Sequence, residues 1–196
     1  MTPCFAAQGM RAPPPPPGAA GTERRVHVVQ GEFHVTDDPG VVLTTILGSC
    51  VAACLRDPLA RVGGMNHFLL PGCGGEAGGD TVRHGVHAME LLVNGLLRKG
   101  ARRERLEAKL FGGARMLEGL TDIGTQNAEF AEYFLQRERI AFAGGSLGGD
   151  RGRRVQFWPA SGRARQMTIE QGEATVFAAE RRAKAAPADV GSVELF

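Results

Sequence analysis

Two hydrophobic periods divide the chain. Between Arg25 and Val35 the apolar positions Val26, Val28, Val29, Phe33 and Val35 alternate in part, which predicts an edge strand. Pro39-Gly40 marks a turn, and Val41 to Thr45 is a β-branched strand leading into Gly48-Ser49. Cys50 to Leu55 is a short apolar run free of Gly and Pro, as expected of a buried strand, and Val62 to Leu70 returns beyond Asp57-Pro58-Leu59-Ala60. From Asp80 the period changes to that of a helix, with Val86, Met89, Val93 and Leu96 on one face and Gly100 as the stop. A strand follows over Leu106 to Phe111, entering Gly112-Gly113-Ala114. A second helix spans about Gln126 to Arg137, with Phe130, Ala131, Phe134 and Leu135 inward. Ile140 to Phe142 is a short strand, Gly144 to Gly152 a loop, and Arg154 to Trp158 with Ala164 to Ile169 a hairpin across Pro159 to Gly162. Strands outnumber helices without regular βαβ alternation. The expected fold is α+β: a layered mixed α/β sandwich, mostly antiparallel sheet covered by helices.

The hairpin after Gly48 brings chemistry together. Asp57 accepts local backbone bonds at the first turn position and Pro58 presets φ at the second. With Asp57 and Ala60 closing the turn, Cys50 is expected opposite His67, within reach of an imidazole. A bulge at Gly63-Gly64 is the step that could turn His67 to the other face.

Composition narrows the classes of function. The 196 residues suffice for one domain with a substantial core. Their 23 basic and 21 acidic side chains give a net charge of +2, which argues against a nucleic-acid footprint. Arg151, Arg153 and Arg154 cluster without interleaved aromatics, as a solvated surface or partner contact does. Residues 1–24, with five consecutive prolines, are expected to be a disordered leader lacking the apolar core of an export signal; residues 25–177 form the domain and 178–196 an Ala- and charge-rich tail. No apolar run reaches the length of a membrane span, so the expected location is the cytoplasm, with Cys4, Cys50, Cys54 and Cys73 reduced and no membrane insertion.

A neighbouring imidazolium lowers a thiol's pKa and makes it nucleophilic. Gly48 and Ser49 supply backbone support for an oxyanion beside Cys50, and a hydroxyl of Thr44 or Thr45, or a backbone carbonyl, could orient the imidazole. The plain alternative is a buried core cysteine, the reading that also suits Cys54. A zinc site from Cys50, Cys54, His67, Cys73, His84 or His87 lacks paired ligand spacing and ranks below the dyad, so no metal is expected. His84 and His87 are expected on the surface. The Gly144 to Gly149 run lacks the ending of a phosphate loop, and Gly112-Gly113 with Gly124 are turns packed near the site.

Gly48 to Pro58 followed by Gly64 to Pro71 resembles the CheD family of chemoreceptor glutamine deamidases. Ala108 to Ala114, Ile123 to Asn127 and Gly148 to Val155 are similar to that family's later blocks, in order, over Val26 to Ile169. The resemblance implies a mixed α/β sandwich and a protein-glutamine glutaminase. It assigns the catalytic cysteine to Cys50, the histidine to His67 and the threonine to Thr44, with no cofactor. It also implies methyl-accepting chemotaxis receptors as partners; a CheC-type phosphatase is a further candidate partner, and a monomer is expected. The competing reading is a non-catalytic chemotaxis adaptor binding the same partners; a cysteine protease is disfavoured. Ser146 departs from the acidic residue expected before Gly148-Gly149, and the leader lies outside the resemblance.

Overall fold

The computed structural model describes residues 23–70, 78–115 and 122–169. Residues 1–22, 71–77, 116–121 and 170–196 lie outside them, so most of the expected leader, Cys4, Cys73 and the whole of the expected tail 178–196 are not described. The strands are β1 (Arg24–His27), β2 (Phe33–Thr36), β3 (Val41–Leu47), β4 (Val51–Asp57), β5 (Val62–Asn66), β6 (Glu107–Gly112), β7 (Ala141–Leu147), β8 (Arg153–Trp158) and β9 (Arg163–Thr168); the helices are α1 (Gly78–Arg98) and α2 (Ile123–Glu138). A four-stranded sheet runs β1-β3-β8-β9 and a five-stranded sheet β2-β5-β4-β6-β7. Only β1 with β3 and β6 with β7 pair in parallel among the described strands. Both helices contact the five-stranded sheet. The architecture is sheet, sheet, helices: the expected layered α+β sandwich.

Alternation along β4 explains why the layers hold. Val51, Ala53 and Leu55 point to the helices, joining Met89, Leu92, Val93, Leu96, Phe130, Ala131, Phe134 and Leu135. Ala52 and Cys54 point the other way, into a second core with Leu43, Leu47, Met65, Phe111, Val155 and Phe157 between the sheets. A strand covered on both faces reads as a continuous apolar run, and β4 is buried along nearly all its length. On α1 the inward stripe is Met89, Leu92, Val93 and Leu96; Val86, expected among them, is exposed. Gly85 takes its place in the first inward turn, so close to Leu70 and Phe130 that a Cβ would lie 2.6 Å from each.

Three local expectations are corrected. The single strand over Arg25 to Val35 is two strands, β1 and β2, at the edges of different sheets, because a turn at Val29–Glu32 carries the chain across. The loop expected from Gly144 is the second half of β7. Gly144 and Gly145 adopt positive φ, and a bulge at Ala108/Leu110 absorbs the irregularity without ending the pairing. The hairpin register moves by two: Asp57 pairs with Val62 and Cys54 with Met65. Asp57 does accept from the Leu59 and Ala60 amides, at 2.9 and 3.0 Å. Arg61, with φ +55°, adds a left-handed residue before the chain returns. Gly63 and Gly64 pair without a bulge.

The buried Asp57 carboxylate also accepts from the Arg102 amide at 2.9 Å and from Arg105 Nη2 at 2.6 Å. Burial alone would raise its pKa; the backbone donors Ala60, Arg102 and Leu59, with Arg105, outweigh it and hold the group at about 2. A depressed carboxylate pKa contributes stability that is present above the unfolded value of 3.8 and lost as pH falls towards 2. We expect unfolding titrations at pH 7, 4 and 2.5 to show wild type losing about 2 kcal/mol on acidification that Asp57→Asn does not lose. Parallel acid slopes in the two proteins would contradict this.

Candidate active site

The site lies where the chain changes sheets. β3 belongs to the four-stranded sheet and β4 to the five-stranded one, and Gly48-Ser49-Cys50 is the three-residue crossing. All three carbonyls of this crossing are held. Gly48 accepts from the Ala114 amide at 2.9 Å, Cys50 from the Gly113 amide at 2.8 Å, and Ser49 from Asn127 Nδ2 at 2.9 Å. A trans peptide points its N–H opposite its C=O. The Ser49 amide is therefore aimed away from Ala114, and the Cys50 amide away from Asn127. At Gly112, φ is +111° and a Cβ would stand 2.1 Å from the Cys50 carbonyl oxygen, so only glycine permits this approach.

Asn127 is the residue that sequence reasoning missed. It is fully buried on α2, accepts from the Leu70 amide at 2.7 Å, and donates to Ile123 O at 2.8 Å as well as to Ser49. It thereby ties the segment after His67 to the segment before Cys50. The available signal was an amide on the inward face of an amphipathic helix, beside Ala128 and Ala131.

Val51 bridges Phe68. Extending that register by one residue sets Cys50 opposite Leu69, not His67. His67 is instead the diagonal neighbour of Cys50 on the same face, a spacing of about 7 Å between backbones. Direct opposition was wrong because the turn is longer; a shift of two preserves the face. Cys50 is half-buried with a solvent-accessible side, and its Sγ donates to Gln30 Oε1 at 3.7 Å. Cys54 is fully buried, and burial pushes its thiol pKa far up; the Lys109 charge opposes this weakly. That is the inert core cysteine expected of it.

His67 is buried and held by backbone and ring together. Its amide donates to Glu32 O at 3.0 Å and its carbonyl accepts from the Gly31 amide at 2.7 Å. Ring Nδ1 lies 2.9 Å from Thr45 Oγ1 and 3.4 Å from Val28 O. The hydroxyl on His67 thus belongs to Thr45, not to Thr44. Adjacent residues of a strand face opposite sides: Thr45 is fully buried between the sheets, whereas Thr44 is half-buried on the other face. Thr45 Oγ1 also donates to Val28 O at 2.7 Å. A hydroxyl has one proton and a carbonyl can only accept, so Oγ1 must accept from Nδ1–H. In the neutral ring this places the proton on Nδ1 and the basic lone pair on Nε2.

His84 and His87 are exposed on α1, and no group of three or more His, Cys, Asp or Glu among the described residues is arranged to hold a metal. No described helix is long and apolar enough to cross a membrane. Ser146, the departure from the expected acidic residue, receives the Arg153 guanidinium on its hydroxyl at 2.9 Å and its carbonyl at 2.8 Å, and Arg153 also reaches the Gly148 carbonyl.

Fold and site define a two-sheet sandwich with a thiol and an oriented imidazole at the point where the chain changes sheets. Residues 69–168 match the family model described as CheD chemotactic sensory transduction. The chain is 57% identical over 88% of its length to a probable chemoreceptor glutamine deamidase CheD of Agrobacterium fabrum, covering 97% of that protein. It is 60% identical over 88% of its length to one from Acidiphilium cryptum, covering 94%. A Neisseria meningitidis crystal structure of the DUF152 family aligns over 64% of both chains with a TM-score of 0.42 and 10% identity. The chain belongs to the CheD family.

Replacing Asn127 by alanine leaves the Leu70 amide and Ser49 carbonyl without this partner. We expect Asn127→Ala to lower the unfolding free energy by about 3 kcal/mol, measured by urea titration. A loss within experimental error of zero would show that the Asn127 bridge carries no stability.

Proposed function

We propose that this chain hydrolyses glutamine side-chain amides on methyl-accepting chemotaxis receptors, releasing ammonia and leaving glutamate. The observation that carries the reading is the Thr45–His67 contact. By holding the proton on Nδ1, it leaves Nε2 to act as the base, on the face shared with Cys50. The high identity to relatives named chemoreceptor glutamine deamidases supports the substrate class.

In this mechanism Nε2 of His67 takes the Cys50 thiol proton as Sγ attacks the amide carbon. The developing oxyanion is received by amides at Ser49-Cys50, on the crossing whose carbonyls are already engaged, with Gly48 allowing close approach. The C–N bond breaks, the leaving nitrogen takes the proton back from Nε2, and ammonia departs from a thioester. Water gives one proton to Nε2 and adds to the thioester; the C–S bond breaks, Sγ takes that proton back, and the new acid releases its remaining proton to the departed ammonia as it leaves as glutamate. The steps balance with water as the only co-reactant, so the reaction needs no metal or organic cofactor. Thr45 is a positioning residue in this reading. Glutamyl methyl esters fit the same acyl-transfer path. The reading includes action in the cytoplasm as a monomer, with a CheC-type phosphatase as a further partner.

The test is mass spectrometry of a receptor cytoplasmic fragment incubated with wild type and with Cys50→Ala. We expect amide-to-acid conversion at defined glutamines with wild type, reduced by roughly 10³-fold or more in Cys50→Ala. Equal conversion by both proteins would remove Cys50 from the mechanism. Conversion by neither, with receptor binding retained, would leave the adaptor reading.

A further inference from the structure

Gln30 places a carboxamide on the proposed nucleophile. It is the second residue of the Val29–Glu32 turn, closed by the Glu32 amide on Val29 O at 3.0 Å, with Gly31 at φ +88°. Two backbone bonds fasten this turn to His67: Gly31 N–H to His67 O at 2.7 Å and His67 N–H to Glu32 O at 3.0 Å. The turn is therefore positioned by the histidine itself, and its exposed tip carries the Gln30 side chain to the thiol, where Oε1 accepts from Sγ at 3.7 Å.

An electrophilic carbon has to come within about 3.5 Å of Sγ to react. Gln30 Oε1, 3.7 Å from Sγ, stands at the edge of that approach, with the same functional group that the deamidase reading assigns to the substrate. Because the side chain is exposed, it can leave by rotating its own torsions, without moving the turn or the histidine. We propose that Gln30 is a specificity-determining residue that caps Cys50 with a carboxamide until a substrate carbonyl takes its place. A glutamine amide or a glutamyl ester makes up for the displaced S–H···O=C bond by seating its carbonyl oxygen on the Ser49 and Cys50 amides. An electrophile without a carbonyl cannot, and loses that bond on entry. This inference rests on the deamidase reading for its substrate, while the cap itself is a property of the free protein.

The experiment uses the full chain and two variants, Gln30→Ala and Gln30→Met; the second keeps similar length without an acceptor. Alkylation of Cys50 by an alkyl iodide, followed on the Cys50 peptide by mass spectrometry, is expected to be about fivefold faster in both variants. The receptor fragment is expected to show a lower KM in both, with the change falling on KM and not on kcat. Unchanged alkylation would overturn the cap. A raised KM would overturn it in favour of Gln30 as a substrate-binding group. Conversion of Gln30 itself to glutamate in wild type but not in Cys50→Ala would also overturn it, making Gln30 a substrate. Faster alkylation in the variants, with no receptor glutamine converted by wild type, would uphold the cap and remove the deamidase reading.

Discussion

One hydroxyl joins the two sheets at the site. Thr45 extends from β3 in the four-stranded sheet, His67 follows β5 in the five-stranded sheet, and Val28 follows β1. Thr45 Oγ1 bonds to both of the others, at 2.9 and 2.7 Å, in a fully buried position. In a dry layer each such polar group has to be satisfied, and this arrangement allows only one distribution of protons. The constraint that closes the sandwich at this end is thus the one that selects the histidine tautomer.

The rest of the site depends on where the chain is made to cross. Gly48, Ser49 and Cys50 have their carbonyls fixed by Ala114, Asn127 and Gly113, from the β6 turn and α2. The β-hairpin that returns to His67 is secured at its far end by Asp57, whose carboxylate joins the turn to Arg102 and Arg105. Thiol and imidazole are held from separate sides by elements belonging to the packed core, so the site's geometry follows from the order of layers and not from a mobile loop. The turn at Val29–Glu32 completes the enclosure by bonding both backbone groups of His67.

Much of this was legible in the chain. The apolar run of β4, the two helices and the β8–β9 hairpin follow from periodicity and turn chemistry, and face alternation sets Cys50 and His67 on one face although not opposite each other. What escaped depended on tertiary detail. Periodicity could not show that Arg61 would adopt φ +55° and shift the hairpin by two residues. The choice between Thr44 and Thr45 turned on which face of β3 met the other sheet. Two adjacent threonines read alike in a β-branched run, and the family's spacing pointed to Thr44. Gly144-Gly145 signalled a loop, although the neighbouring β6 backbone accommodates them as a bulge. Asn127 was hidden by the helix that carries it, since a polar residue on an inward face has meaning only once its partners are known.

The most direct test of this account compares Thr45→Val with Thr44→Val, scoring receptor-glutamine conversion beside thermal stability. Loss of the Thr45 hydroxyl frees the His67 ring from its orienting partner, and the account predicts a fall in kcat of roughly 100-fold. Thr44→Val is predicted to retain activity close to wild type. A severe loss in Thr44→Val, with Thr45→Val active and folded, would contradict the assignment of the histidine's partner and the tautomer derived from it.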